Sequence, residues 1–404
     1  MENEDRITQP TKNDDGAGVR SLKDLLNIIS GKDFITPEQR EDAGIAESIP
    51  FPFLALVGQN DMKLALILAL INPAVGGVLL IGPRGTGKTT AVRSLIDLLP
   101  NVPRSLCYYG CMPEDIETGG IDAVCPDCAK KYAQGEPLAK LDRGRLVELP
   151  LNAELEDVVG GIDKRTIVHD RMRLRRGLLA QSDRNILYVD EVNLLYDDVV
   201  NALLDASSQG SYTVRRGPIS ATYWSRFVLI GSMNPEEGKL RPQILDRFGL
   251  RVIVRGLEDT ELRLEAYKRV HAYLENRRQS VQQFAFETEI ARDEIQSARD
   301  LLSRVVLPSF VAEKGLSIIN DLGVDSLRAE ITLFEAARAH AAADARDEVS
   351  IADLETVALM ALRLRRSSYI EEFFTERGSE DNEITSILDQ TIAEANQGER
   401  EDKI

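Results

Sequence analysis

Eight residues constrain this chain more than any others. Gly82-Pro83-Arg84-Gly85-Thr86-Gly87-Lys88-Thr89 fits G-x-x-x-x-G-K-[ST] at every fixed position. An apolar run, Val78 to Ile81, precedes it, and an apolar helical pattern from Thr90 through Leu99 follows. In a strand–loop–helix setting, glycines let backbone N–H groups turn inward around phosphate oxygens, and the helix N-terminus adds partial positive charge. Lys88 is then placed to reach the β- and γ-phosphates of a nucleotide, and Thr89 to set its hydroxyl on Mg²⁺. A glycine-rich turn with a surface lysine would explain neither flank.

Four more short runs read as buried strands: Leu146–Leu149, Ile186–Val189, Phe227–Ile230 and Val252–Val254. Most are nearly continuous apolar, as parallel strands covered on both faces are. With helical segments between them they predict an α/β domain over 48–258 built on a parallel five-stranded sheet. After Leu257 the strand signal fades. Residues 260–275 and 285–305 read as helical and charged, giving a helical connector over 259–297. A small all-helical domain over 298–366 follows. Asp325 or Ser326 is expected to cap a helix starting near Leu327, with Leu327, Ile331 and Phe334 on one face, and Ser350 with Asp353 forms a capping box. Residues 1–47 and 367–404 read as acidic, solvated tails.

Catalytic candidates lie downstream of the loop. Ile186-Leu187-Tyr188-Val189-Asp190-Glu191 is an apolar strand ending in two carboxylates, and strand ends beside a phosphate loop are where an open α/β sheet places its chemistry. Asp190 is expected to hold Mg²⁺ and Glu191 to polarise the attacking water. Asn234, after the strand from Phe227, can hydrogen-bond that water or the γ-phosphate, although Asn-Pro is also a common turn. Arg247 and Arg328 are candidate cations for charge that develops during phosphoryl transfer; a surface salt bridge is the plainer reading of each.

These residues together resemble the AAA+ ATPases. Phe51-Pro52-Phe53, Val57-Gly58-Gln59, the phosphate loop, Tyr188 to Leu195, Asn234-Pro235-Glu236-Glu237-Gly238, Leu240 to Gly249 and Asp325 to Thr332 are similar, more narrowly, to the small ATPase subunits of magnesium chelatase. The similarity covers roughly 50–366 and is poor over 100–145. It implies an AAA+ P-loop NTPase domain followed by a helical lid. Val57, Gln59, the eight loop residues, Thr90 and Asp190 would bind nucleotide, and Thr89 and Asp190 would hold Mg²⁺. Asn234 would be the first sensor, Arg247 a finger acting across a subunit interface, and Arg328 the second sensor. The resemblance further implies a homo-oligomeric ring, often of six, an insertion within 151–185 and a β-hairpin from Tyr212 to Tyr223 turning at Gly217-Pro218. Implied partners are a D-type subunit with an integrin-like domain and a large porphyrin-binding H-type subunit that inserts Mg²⁺ into protoporphyrin IX in (bacterio)chlorophyll synthesis. A MoxR-like chaperone working with an integrin-like partner in metal-cofactor insertion or enzyme activation is the alternative.

All four cysteines fall in one window, Cys107, Cys111, Cys125 and Cys128, spaced C-x₃-C-x₁₃-C-x₂-C. Such clustering points to a tetrahedral thiolate site for structural Zn²⁺, with an iron–sulfur cluster, redox disulfides and unligated thiols as the other readings. This insertion, 105–130, departs from the chelatase pattern. His169, His271 and His340 are scattered and read as solvated or packed.

The formal charge of -17 argues against a broad nucleic-acid surface, so neither a helicase nor any other nucleic-acid partner is expected. A scaffold that binds ATP without turnover would not need Glu191. No stretch approaches the roughly 18 apolar residues of a membrane span, and the acidic N-terminus lacks an apolar leader. A cytoplasmic protein without membrane insertion is expected.

Overall fold

The computed structural model describes residues 49–162, 174–217, 219–238 and 240–365. The two tails expected from the sequence, His169 and Pro218 lie outside these.

Helix α1 (Asn60–Ile71) is apolar nearly all round and enters the interior, with Leu66, Leu68 and Ala65 fully covered. Strand β1 (Val78–Ile81) leads through the phosphate loop into α2 (Lys88–Ser94), which tightens into a 3₁₀ turn over Leu95–Leu98. Strands β2 (Asn101–Ser105) and β3 (Ala139–Arg143) form an antiparallel ribbon. Between them run α3 (Pro113–Gly119) and α4 (Pro126–Ala133), which carry the cysteine window. Strand β4 (Leu146–Leu149) returns to the main sheet. Then come α5 (Leu155–Val159), a short ribbon of β5 (Gly160–Ile162) with β6 (Leu174–Arg176), and α6 (Leu178–Gln181). Strand β7 (Ile186–Val189) precedes α7 (Asp197–Gln209). The expected hairpin is β8 (Ser211–Arg216) paired with β9 (Ile219–Trp224), Tyr212 opposite Tyr223. Strand β10 (Val228–Met233), α8 (Pro242–Arg247) and β11 (Leu250–Ile253) complete the α/β part.

The main sheet has order β11-β1-β10-β7-β4, and all of its pairings are parallel. Alternation along the strands divides the core in two. Val78, Leu80, Tyr188, Ile230 and Val252 join a cluster containing α1 and the C-terminal helices, whereas Leu79, Leu187, Val189, Leu229 and Met233 pack with α7 on the other face. Each such side chain fully buried is worth about 1.5–3 kcal/mol, so strands this short hold only because both faces are covered.

The remaining chain is helical: α9 (Thr260–Glu275), α10 (Arg277–Gln283), α11 (Ala285–Leu302), α12 (Ser309–Asp321), α13 (Leu327–Ala343) and α14 (Ile351–Leu362). The AAA+ α/β fold followed by a helical lid is therefore the architecture. Helix α13 packs through an alanine-rich face, Ala329, Ala336, Ala337 and Ala341, which allows close approach of α1 and α14. Ser350 and Asp353 form the expected capping box on α14. Ser326 holds the N-cap position of α13, but its hydroxyl donates instead to Asp246 at 3.0 Å, so the expected side-chain cap is replaced by a tie to α8.

Candidate functional site

The loop leaves β1 at Gly82, where an added Cβ would lie 2.1 Å from the Val254 carbonyl oxygen; only glycine fits. At its other end Gly87 has φ 86°, which turns the backbone into α2. The Lys88 ammonium donates to the Gly82 and Pro83 carbonyls at 2.7 and 2.8 Å, and Thr86 Oγ1 donates to Pro83 at 3.0 Å. Burial pushes the Lys88 pKa below its ordinary value, opposed by the carboxylates of Asp190, Glu237 and Glu191. Three acids thus surround one buried-facing lysine.

The ends of β7 and β10 supply the rest. Thr89 Oγ1 donates to Asp190 Oδ2 at 3.2 Å. The other Asp190 oxygen accepts from the Tyr188 phenol at 2.9 Å and from the Ser232 hydroxyl. Ser232 in turn accepts the Glu191 N–H at 3.2 Å. Burial pushes the Tyr188 phenol up, so it remains a donor. Glu191 has φ 49°, a left-handed conformation that costs a non-glycine residue on the order of 1–3 kcal/mol and turns its side chain off the strand end. Arg84 bridges Glu191 at 3.4 Å and Glu237 at 2.5 Å. Asn234, nearly fully buried, donates to Glu237 Oε1 at 3.0 Å. That amide, with Arg84, holds the Glu237 carboxyl below its usual range.

A cavity of about 370 Å³ is lined by Arg84 through Thr90, Asp190, Glu191, Ser232, Met233 and Asn234. A neighbouring one of about 750 Å³ shares Gly85, Thr86, Gly87 and Thr90 and is walled by Phe51, Leu56, Val57, Gln59, Met62, Leu257 and Val270. The first carries charges of both signs, Arg84 and Lys88 against Asp190 and Glu191; the second is more apolar, with size suited to a purine and ribose. Gln59 Nε2 donates to the Arg255 carbonyl at 2.5 Å, tying the wall of the second to the segment after β11. The hard oxygens of Thr89 and Asp190, 3.2 Å apart, suit Mg²⁺.

Arg247 and Arg328 line neither cavity. Arg247, at the end of α8, pairs with Asp205 on α7 at 2.5 Å, and Arg328 reaches Asp246 at 3.4 Å. The structure thus gathers Lys88, Thr89, Asp190, Glu191 and Asn234 and leaves the two arginines outside that group. Ser232, Tyr188 and Glu237 are the additions that motif reading missed. Tyr188 and Glu237 lie in runs the sequence already marked, Tyr188 in the strand ending in Asp190 and Glu237 three residues after Asn234, whereas Ser232 carried no signal.

Residues 75–218 match the AAA domain family model, and 316–387 match the AAA lid domain model. The chain is 39% identical over 323 residues to a magnesium-chelatase subunit ChlI homolog of Methanocaldococcus jannaschii, covering 79% of this chain and 87% of that protein. It is 41% identical over 317 residues to the magnesium-chelatase 38 kDa subunit of Acidiphilium rubrum, covering 78% and 90%. The chain belongs to the magnesium-chelatase small-subunit family of AAA+ ATPases. It is also 38% identical to a chain of a solved assembly described as a complex between subunits BchI and BchD of magnesium chelatase, with 80% of this chain and 99% of that chain covered at a TM-score of 0.45.

One part of this chelatase-family chain lies apart from the nucleotide cavities. The sulfurs of Cys107, Cys111, Cys125 and Cys128 all lie within 4.8 Å of one another, and Cys111, Cys125 and Cys128 are buried. Backbone N–H groups of Cys111, Cys125 and Cys128 donate to the sulfurs of Cys107, Cys111 and Cys125 at 3.3, 3.3 and 3.4 Å. Four thiolates about 2.3 Å from one tetrahedral Zn²⁺ would lie roughly 3.8 Å apart, so the cluster fits that ion. Hydrogen bonding from Cys111 draws the Cys107 thiol down, while burial pushes the Cys128 thiol up. All four cysteines are free thiols here rather than disulfides. Their own apolar core is small, Ile116, Val124 and Leu138 with partial cover from Tyr109 and Ala129.

Of the other histidines, His271 lies 3.5 Å from Glu275 and His340 bonds Asp353 at 2.5 Å; both are packing or surface partners away from the cavities. Among the described residues no helix is long and apolar enough to cross a membrane.

Proposed function

We propose that this chain is the ATP-hydrolysing ring subunit of a magnesium chelatase. In this reading it couples turnover to Mg²⁺ insertion into protoporphyrin IX by a large partner subunit, in (bacterio)chlorophyll synthesis. The observation that carries the catalytic half is the convergence of Lys88, Thr89, Asp190, Glu191 and Asn234 on one cavity that opens into a second, base-sized one. Family membership carries the chelatase half. Lys88 binds the β- and γ-phosphates, and the backbone N–H groups of the loop wrap them. Thr89 and Asp190 would hold Mg²⁺, which when bound neutralises phosphate charge. Glu191 polarises the attacking water, positioned by its strained backbone and by Ser232. Asn234 orients that water or the γ-phosphate.

Arg247 acts on nucleotide across a ring interface as the finger, and Arg328 acts as the second sensor, on the nucleotide of its own or a neighbouring copy. The placement of Arg247 outside the cavities of its own chain supports the first role. The ring is a homo-oligomer, most simply of six, and it works with a D-type subunit bearing an integrin-like domain and a porphyrin-binding H-type subunit. The cysteine cluster holds a structural Zn²⁺. A cytoplasmic setting belongs to this reading.

The test is reconstitution with competent D-type and H-type partners, ATP and protoporphyrin IX. Mg-porphyrin should form. Its absence would move the chain to a chaperone that services another enzyme.

A further inference from the structure

The cysteine module is fastened at one end of the sheet, and the fastening is made of charge. Helix α3 begins two residues after Cys111, and its first turn carries Glu114 and Asp115. Glu114 accepts from Arg184 and, at 3.1 Å, from Arg226. These arginines stand just before β7 and β10, at the N-terminal ends of the strands whose C-terminal ends carry Asp190, Glu191 and Asn234. Arg226 also grips Asp183 at 2.9 Å and lies over the Trp224 ring at 4.5 Å. Asp115 accepts the Met112 N–H at 2.8 Å and Arg176 of β6 at 3.2 Å. Arg176 in turn lies over Tyr223 of β9 at 5.1 Å and packs directly on Gly110, between the first two cysteines. The two ribbons also touch each other, Arg216 of β8 donating to the Gly160 carbonyl of β5 at 3.5 Å, and Tyr212 Oη of β8 donates to the Val159 carbonyl at the end of α5 at 3.1 Å. One small helix thus holds both β5–β6 and β8–β9.

Ile116 of that helix packs into the core of the cysteine cluster. Its apolar core is a handful of residues, too few to order a segment of this length unaided. Metal binding is folding free energy in modules of this kind.

We propose that the four-cysteine module is a metal-dependent clasp for the two ribbons. Zinc binding orders α3, Glu114 and Asp115 then fix Arg184, Arg226 and Arg176, and through them β5–β6 and β8–β9 are held against the sheet. The clasp sets the ribbons and leaves nucleotide binding alone, because about 13 Å of four-residue strand separates the two ends. The proposal rests on the zinc reading above.

Hydrogen–deuterium exchange on the full chain tests it, with zinc content and affinity for a fluorescent ATP analogue measured on the same samples. The samples are wild type, chelator-stripped wild type and Glu114→Gln. Wild type and Glu114→Gln should each hold about one zinc per chain, since Glu114 is no ligand. Exchange in 160–162, 174–176, 211–216 and 219–224 should rise about tenfold or more in both stripped wild type and Glu114→Gln, as loss of charge-assisted hydrogen bonds implies. Exchange in 88–94 and ATP-analogue affinity should stay within about twofold. Wild type holding less than about 0.2 metal ions per chain would overturn the zinc reading and the clasp with it. Zinc bound, but ribbons unchanged on stripping or in Glu114→Gln, would overturn the clasp alone. Loosening of 88–94 to the same degree would show that the metal holds the whole domain, which also contradicts it.

Discussion

Glu191 stands at the C-terminal end of β7 with φ 49°, its carboxylate 3.4 Å from Arg84 and its N–H held by Ser232. If it polarises the lytic water, Glu191→Gln should bind ATP as wild type does and lose turnover by about 10²–10⁴-fold. Isothermal titration with a steady-state phosphate assay reads both, and unchanged turnover would remove Glu191 from that role. Lys88, Thr89, Asp190 and Glu191 were legible in the sequence because each lies in a contiguous motif with a mechanism attached. Ser232 was not, because nothing local marks it. Parallel register sets Ile230 opposite Tyr188, so two residues further on Ser232 meets Asp190. Its hydroxyl serves both Asp190 and the Glu191 N–H, so Ser232→Ala should lower turnover by about tenfold with ATP affinity nearly unchanged, in the same two assays.

At the scale of elements, the lid shows the limit of local reading most clearly. Ser350-x-x-Asp353 was readable as a capping box, and it is one, with the Ser350 N–H donating to Asp353 at 2.7 Å. Asp353 is also fully buried and receives Arg346 and His340, partners that no spacing rule links to it. Burial opposes its ionisation, but Arg346, the Ser350 N–H and His340 outweigh that and hold the carboxyl well below its usual range. A depressed carboxylate contributes stability above its unfolded value, about 3.9, and loses it as pH falls below. Asp353→Asn should therefore destabilise the lid by about 2–4 kcal/mol at neutral pH. The gap from wild type should narrow as pH drops below about 4, read by urea denaturation across that range. A gap independent of pH would mean the cap geometry, not the charge, is what matters. Ser326 went the other way: as a residue before a helical stripe it resembled a cap, but Asp246 on α8 is the stronger acceptor and takes its hydroxyl. Arg328 and Arg365 reach the same carboxylate, so the lid is tied to the element that ends in Arg247.

At the scale of the whole molecule, the two candidate arginines stand outside the group gathered at the phosphate loop. Arg247 pairs with Asp205 and Arg328 with Asp246, both away from the cavity that holds Lys88 and Glu191. Action across an interface makes a specific prediction. Glu191→Gln and Arg247→Ala, each inactive alone, should regain turnover when mixed, since one supplies the arginine and the other the carboxylate. No recovery in mixed assemblies would argue against a finger in trans. The sequence marked both arginines as candidate cations, but finger and sensor roles came only through resemblance, because no contiguous motif ties either residue to the phosphate loop. The sheet order and the fastening of the cysteine module were likewise beyond it, being set by pairings between segments tens of residues apart.

In the proposed function, ATP turnover by this chain drives metal insertion elsewhere. The most direct measurement is Mg-protoporphyrin formation with D-type and H-type partners, ATP and protoporphyrin IX, run side by side with wild type and Glu191→Gln. Product is expected with wild type and none with Glu191→Gln, although the variant still binds ATP. Equal product from both, or none from wild type with partners proven competent, would contradict it.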